Sequence, residues 1–129
     1  MNFIDSKLTI AVVDDDTSML RALMRLLQTA GYAVKTYASA AEFLADYGSS
    51  IIHCLMVDVQ MPGMDGFELA AALAQRGVCL PTLFITAHDS PLAREKAAHA
   101  DALGFLVKPF DPKLLLVALS GILQPGGAR

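Results

Sequence analysis

This sequence predicts an α/β fold built on a parallel sheet, on three observations. Short apolar runs alternate with helical patterns five times along the chain. The clearest of these runs, residues 8–13 (LTIAVV), is almost continuously apolar. That marks a strand buried on both faces, whereas a half-solvated strand alternates. Finally, each run is separated from the next by enough chain for one helix, the connection that parallel neighbours require. Regular alternation of this kind gives a (βα)5 doubly wound sheet of five strands with helices on both faces.

Each element follows from local chemistry. After the first strand, Leu20, Leu23, Leu27 and Ala30 recur at helical spacing, and Gly31 stops that helix. Residues 32–37 form a second strand, half polar and therefore nearer an edge. Ser39 followed by Glu42 is a capping box that opens a short helix running to about Tyr47. Residues 52–57 are the third apolar strand. The stretch 61–66 (MPGMDG) is loop chemistry, and residues 67–76 are a helix closed by Gly77. Residues 83–85, behind Pro81, are the core of strand four, and residues 91–102 the fourth helix. Residues 104–107 make strand five. Asp111 then caps a last helix that begins at Pro112, where a missing N–H costs nothing.

The bulk numbers bound the answer further. A chain of 129 residues is one domain that can bury roughly 70% of its unfolded surface. An apolar content of 54% excludes disorder, yet no apolar run approaches the roughly 20 residues needed to span a bilayer. No basic start followed by an apolar stretch suggests an export signal, so a cytoplasmic protein is expected. Cys54 and Cys79 both have apolar neighbours and read as buried, reduced thiols. A net charge of −3 gives no reason to bind nucleic acid or an anionic membrane directly. Residues 124–129 (QPGGAR) read as a tail or the start of a linker after a domain of residues 1–123.

The chemistry concentrates at the strand ends. Asp14, Asp15 and Asp16 follow strand one, Asp58 ends strand three, Thr86 follows strand four, and Lys108-Pro109 follows strand five. Open parallel sheets bind ligands beyond the carboxyl ends of their strands, where the strand order reverses, so these residues meet at one rim. Neighbouring carboxylates repel unless a cation neutralises them. Oxygen-only ligands suit a hard ion such as Mg²⁺, with Mn²⁺ an acceptable substitute, that leaves room for a phosphate. Lysine and threonine aimed at the same point are apt partners for phosphoryl oxygens.

The segments VVDDD, MVDVQMPGMDG, FITAH and GFLVKPF, in that order and spacing, resemble the four signatures of a response-regulator receiver domain. The resemblance covers residues 8 to about 123. It implies a strand order of 2-1-3-4-5 and a phosphoacceptor switch of two-component signalling. Asp58 would take a phosphoryl group from the phosphohistidine of a sensor kinase or phosphotransfer protein. Asp15 would bind Mg²⁺ directly, Asp14 mainly through water, and Gln60 through its backbone carbonyl. Lys108 would read the phosphoryl oxygens, and Lys108-Pro109 would be a cis peptide. Thr86 would donate its hydroxyl to the phosphoryl group, Ala87 would leave space for it, and Phe105 would occupy the aromatic switch position. Gln60 and His88 stand where relatives vary and tune dephosphorylation. Asp16 is left to cap the first helix.

Two departures from the family pattern stand out. Asp101 replaces a usual glycine at the end of helix four, and Phe105 lacks the hydroxyl of the tyrosine often found there. His53 and His99 read as ordinary strand and helix residues, and Met61 and Met64 as packing for their loop. On the last helix Leu115, Ala118, Leu119 and Ile122 form a core stripe, with Leu116 and Leu123 at its margin, whereas Leu114 and Val117 point outward. A face made of helix four, strand five and helix five would then bind a second copy or an output domain, one that could contact DNA in a longer chain. Two rivals remain at this stage. One is a Mg²⁺-dependent aspartyl-phosphate phosphotransferase or phosphatase, whose D-x-D pattern Asp14-x-Asp16 formally fits. The other is a degenerate receiver acting as a constitutive interaction module.

Overall fold

The structure is a computed structural model, and it describes residues 7–123. Its order is β1 (Thr9–Val13), α1 (Thr17–Thr29), β2 (Ala33–Tyr37), α2 (Ala40–Asp46) and β3 (Cys54–Asp58), followed by α3 (Gly66–Gln75), β4 (Thr82–Thr86), α4 (Pro91–His99), β5 (Gly104–Val107) and α5 (Pro112–Leu123). All four strand pairings are parallel, and the strands lie in the order β2-β1-β3-β4-β5. The tail at residues 124–129 lies outside the described residues.

Alternate side chains of the central strands feed two separate cores. Ile10, Val12, Cys54, Met56, Leu83 and Ile85 point to one face, where Leu20, Leu23 and Leu27 of α1 and Leu115 and Leu119 of α5 cover them. Ala11, Val13, Leu55, Val57 and Phe84 point to the other, covered by Phe43 of α2, Leu69 and Leu73 of α3 and Ala97 of α4. Burial on both faces is why β1, β3 and β4 read as continuous apolar runs. β2 and β5 are the edges, and their residues are only half-buried apart from Tyr37. A fully buried leucine contributes about 1.5–3 kcal/mol, so the three completely buried leucines of α1 and α5 (Leu27, Leu115 and Leu119) and their sheet partners dominate that layer.

The helix ends follow the capping logic closely. Asp16 accepts the amide protons of Ser18 and Met19 at the start of α1. Ser39 and Glu42 bracket α2, and Asp65 and Glu68 form a reciprocal capping box on α3. Helices α1, α3 and α4 end in one arrangement, in which two amides beyond the helix reach back to carbonyls of its last turn. Gly31 and Gly77 supply the left-handed residue in the first two. In the third it is Asp101, at φ 56°, with Ala102 N–H bonded to the Ala97 carbonyl. That closure ends α4 at His99, three residues before the sequence pattern suggested.

One expectation is corrected. Cys54 is buried, but Cys79 is exposed. It sits in the extended connection between α3 and β4, where Val78 and Leu80 turn inward and the residue between them must turn out. Apolar neighbours in sequence therefore did not mean apolar neighbours in space.

Candidate functional site

Parallel strands bring their carboxyl ends to one rim, and the paired register fixes which residues meet there. Val13 of β1 lies beside Val57 of β3, so Asp14 and Asp58 emerge side by side. The chain leaving β1 enters α1 on one face of the sheet, and the chain leaving β3 enters α3 on the opposite face. The strands diverge in this way only at a switch point, which opens a crevice between them.

Three carboxylates converge in that crevice. Oxygens of Asp14, Asp15 and Asp58 all lie within 4.8 Å of one another. Asp14 is fully buried and Asp58 5% exposed, whereas Asp15 faces solvent. Asp14 Oδ1 accepts the Asp16 amide at 2.9 Å, and its Oδ2 accepts from Lys108 Nζ at 3.0 Å. The same ammonium stands 3.6 Å from Asp58 Oδ2, and the Gln60 amide donates to Asp58 Oδ1 at 3.2 Å. The Lys108-Pro109 peptide bond is cis.

Electrostatics set the protonation of this group. Burial, then repulsion from Asp14, pushes the Asp58 carboxyl up to about 6, against the stabilising pull of the Gln60 amide and Lys108. Burial opposes the charge of Lys108, but its hydrogen bond to Asp14 and the attraction of both acids win and raise its pKa. At neutral pH Asp58 is therefore mainly an ionised carboxylate held beside a fixed cation. Three carboxylates of this geometry form an all-oxygen donor set that fits a hard divalent cation and offers nothing to a soft one.

Around the acids, Thr86 is buried at the end of β4, and its hydroxyl both donates to the His88 carbonyl (3.2 Å) and accepts from the His88 amide (3.0 Å). Gln60 and His88 are exposed and line the same 610 Å³ groove between the β3–α3 loop and α4. Phe105 is half-buried on β5, beside Phe84 in register. Of the residues that the resemblance assigns to the phosphoryl and metal chemistry, all lie on this rim except Phe105, which sits further down β5 on the α4 side.

Two features escaped sequence reasoning. Gly66 packs so closely that a Cβ there would lie 2.6 Å from the Asp58 carbonyl oxygen, so this backbone approach holds the acid-bearing strand end in place. The glycine of MPGMDG was visible, but its neighbour was not. The second is the ion pair of Asp89 with Arg94, whose guanidinium lies 4.8 Å from the Phe105 ring centroid. A separation of five residues that straddles a helix start obeys no simple helical rule.

The family model described as the response regulator receiver domain matches residues 10–120. The chain belongs to that family. It is 40% identical over 121 residues to the response regulator protein TmoT of Ectopseudomonas mendocina, covering 93% of this chain and 54% of that protein. It thus spans about half the length of the curated relatives it matches. Among solved structures it resembles the chemotaxis protein CheY4 of Vibrio cholerae, with TM-score 0.86, 34% identity, and coverage of 92% of this chain and 100% of that one. A receiver protein of Burkholderia phymatum is 42% identical, with TM-score 0.80 and coverage of 92% and 96%. These likenesses and the rim geometry agree on a receiver domain of two-component response regulators, with its phosphoacceptor switch role.

The raised pKa of Asp58 has a consequence for stability. Between its ordinary 3.8 and about 6 the folded chain holds more protons than the unfolded one, so this group's contribution to stability falls as pH rises through that window. Without divalent metal, Asp58→Asn should therefore raise stability at pH 7 by about 1 kcal/mol after solvent screening, and give no gain near pH 3.5. Urea unfolding of both proteins at the two pH values checks this, and a less stable variant at pH 7 would contradict it.

Proposed function

We propose that the chain is a phosphorylation-controlled switch in which Asp58 accepts a phosphoryl group from the phosphohistidine of a sensor kinase or phosphotransfer protein. The observation that carries this reading is the convergence of Asp14, Asp15, Asp58 and Lys108 within one crevice at the switch point. An ionised Asp58 oxygen attacks phosphorus, a P–O bond forms, and the P–N bond to the donor imidazole breaks. Lys108, already 3.6 Å from Asp58, then pairs with the new phosphoryl oxygens. Thr86 turns its hydroxyl from His88 to the phosphoryl group, which enters through the space that Ala87 leaves. Phe105 follows toward the vacated volume.

Asp14, Asp15 and Asp58, with the backbone carbonyl of Gln60, would hold Mg²⁺ or Mn²⁺. When bound, the ion neutralises the carboxylates and the incoming phosphoryl charge. Gln60 and His88, at the mouth of the groove, set how readily water reaches the acyl phosphate, and so tune its lifetime. The chain modifies itself and turns over no external substrate. Its receiver unit spans residues 1–123, with 124–129 a tail or the start of a linker, and it works in the cytoplasm. Among the described residues no helix is long and apolar enough to cross a membrane. Relatives about twice as long, including the transcriptional regulatory protein FixJ of Azorhizobium caulinodans, support an output domain beyond residue 129, one that contacts DNA while the receiver does not.

The face that changes is the one formed by α4, β5 and α5. Leu103 (57% exposed), beside Phe105 in the groove between α4 and β5, and Leu114 (57%) and Val117 (69%) on α5 leave apolar surface that neither core uses. A second copy or the output domain would cover it on phosphorylation.

Incubation with acetyl phosphate and Mg²⁺, followed by intact mass, tests the chemistry. One stable phosphoryl adduct should form, and Asp58→Asn should abolish it without unfolding the chain. Continuous turnover of the phosphodonor would favour an aspartyl-phosphate enzyme, and no adduct an inert binding module. Sedimentation with and without beryllofluoride tests the face: a phosphoryl mimic should promote a dimer that Val117→Glu prevents. A monomer in both states would rule out self-association and leave the output-domain contact.

A further inference from the structure

The β4–α4 connection carries a set of contacts that the phosphoryl chemistry does not use. Asp89 accepts two hydrogen bonds from one guanidinium, from Arg94 Nε at 2.7 Å and Nη2 at 3.0 Å. That guanidinium lies over the ring of Phe105, 4.8 Å from its centroid. On one side of Asp89 is His88, whose backbone holds the Thr86 hydroxyl through both donor and acceptor. On the other is Ser90, which caps α4 by accepting the Ala93 amide. A planar guanidinium can meet a carboxylate with its edge and an aromatic ring with its face at once, which a lysine cannot do.

We propose that Arg94 is a positioning residue of the switch: with Asp89 it clamps Phe105 in the arrangement where Thr86 is held by His88, and so opposes capture of the phosphoryl group. The proposal rests on the reading of Asp58 as phosphoacceptor. The Thr86 hydroxyl has one proton, and it cannot go to a phosphoryl oxygen while it goes to the His88 carbonyl. Releasing it frees the His88 backbone on both counts, and Asp89 is the next residue along. The Asp89 carboxylate then moves relative to β5. Arg94 cannot follow it and stay on the Phe105 ring, so one of the two contacts breaks. By linkage, a contact present only before phosphoryl capture weakens that capture by the same factor. Both partners are largely exposed, with side chains 56% and 42% accessible, so the pair adds little to folding and its effect on the switch is separable from stability.

The test titrates the full chain with beryllofluoride at saturating Mg²⁺ by calorimetry, alongside urea unfolding. Arg94→Ala and Asp89→Ala should each tighten apparent affinity about threefold, the scale of an exposed ion pair and a surface cation–π contact. The double variant should gain no more than either single one, because both break one clamp. Arg94→Lys, which keeps charge but loses the planar fork, should fall between. In a Phe105→Leu background Arg94→Ala should give no tightening, since the ring it acts through is gone. A merely structural role would instead lower the urea midpoint and leave affinity unchanged or weakened. Unchanged or weaker affinity in Arg94→Ala, with wild type binding normally, overturns the clamp. Failure of the wild type itself to bind the mimic overturns the phosphoacceptor reading and the clamp with it.

Discussion

Like-charge repulsion at the sheet rim is the constraint around which the rest of this structure is arranged. Two unit charges about 5 Å apart repel by about 3 kcal/mol at an effective dielectric near 20. Here three carboxylates stand within 4.8 Å and share one ammonium, which leaves two net negative charges if all ionise. Nothing about folding requires that concentration. The fold tolerates it because Asp15 faces solvent and each buried acid is fixed by something else: Asp14 by the Asp16 amide and Lys108, Asp58 by the Gln60 amide and the close approach of Gly66. Burial, and after it the residual repulsion from Asp14, raises the pKa of Asp58. A site that is disfavoured empty and relieved by a cation and a phosphoryl group is responsive to both.

The two cores carry this arrangement. Leucines on α1 and α5 bury one face, and Phe43, Leu69 and Phe84 anchor the other, so β1 and β3 can end in acids without losing their place in the sheet. Rigid strand ends then meet loops that can rearrange. Asp14 and Asp58 are tied to another strand through Lys108, whereas the Thr86 hydroxyl bonds within its own loop, to the His88 backbone two positions on. Local bonds can be exchanged without disturbing the strands, and the structure concentrates its exchangeable contacts there.

The inner strands were readable because burial on both faces makes them continuously apolar, and helix starts because caps such as Asp16 and Ser39 declare themselves. The acids, Thr86 and Lys108 were readable as a group because parallel strands place their carboxyl ends together, whatever the order. The strand order itself came from family resemblance, since hydrophobic pattern does not say which strands are neighbours. What the sequence hid depends on tertiary placement. Cys79 faces out because an extended connection alternates its side chains. Helix α4 stops early because Asp101 accepts a left-handed conformation usually left to glycine. The Asp89–Arg94–Phe105 contacts join a loop, a helix and a strand, and no periodicity links those three.

The central claim is that repulsion among Asp14, Asp15 and Asp58 forms a hard-cation site, and thermal unfolding with and without Mg²⁺ tests it most directly. Mg²⁺ at roughly ten times its Kd should raise the Tm of the wild type by about 4 °C through mass action on the folded state. Asp15→Asn should lose that rise while melting no lower than the wild type in the absence of metal. A wild-type Tm indifferent to Mg²⁺, or an equal rise in Asp15→Asn, would contradict the account.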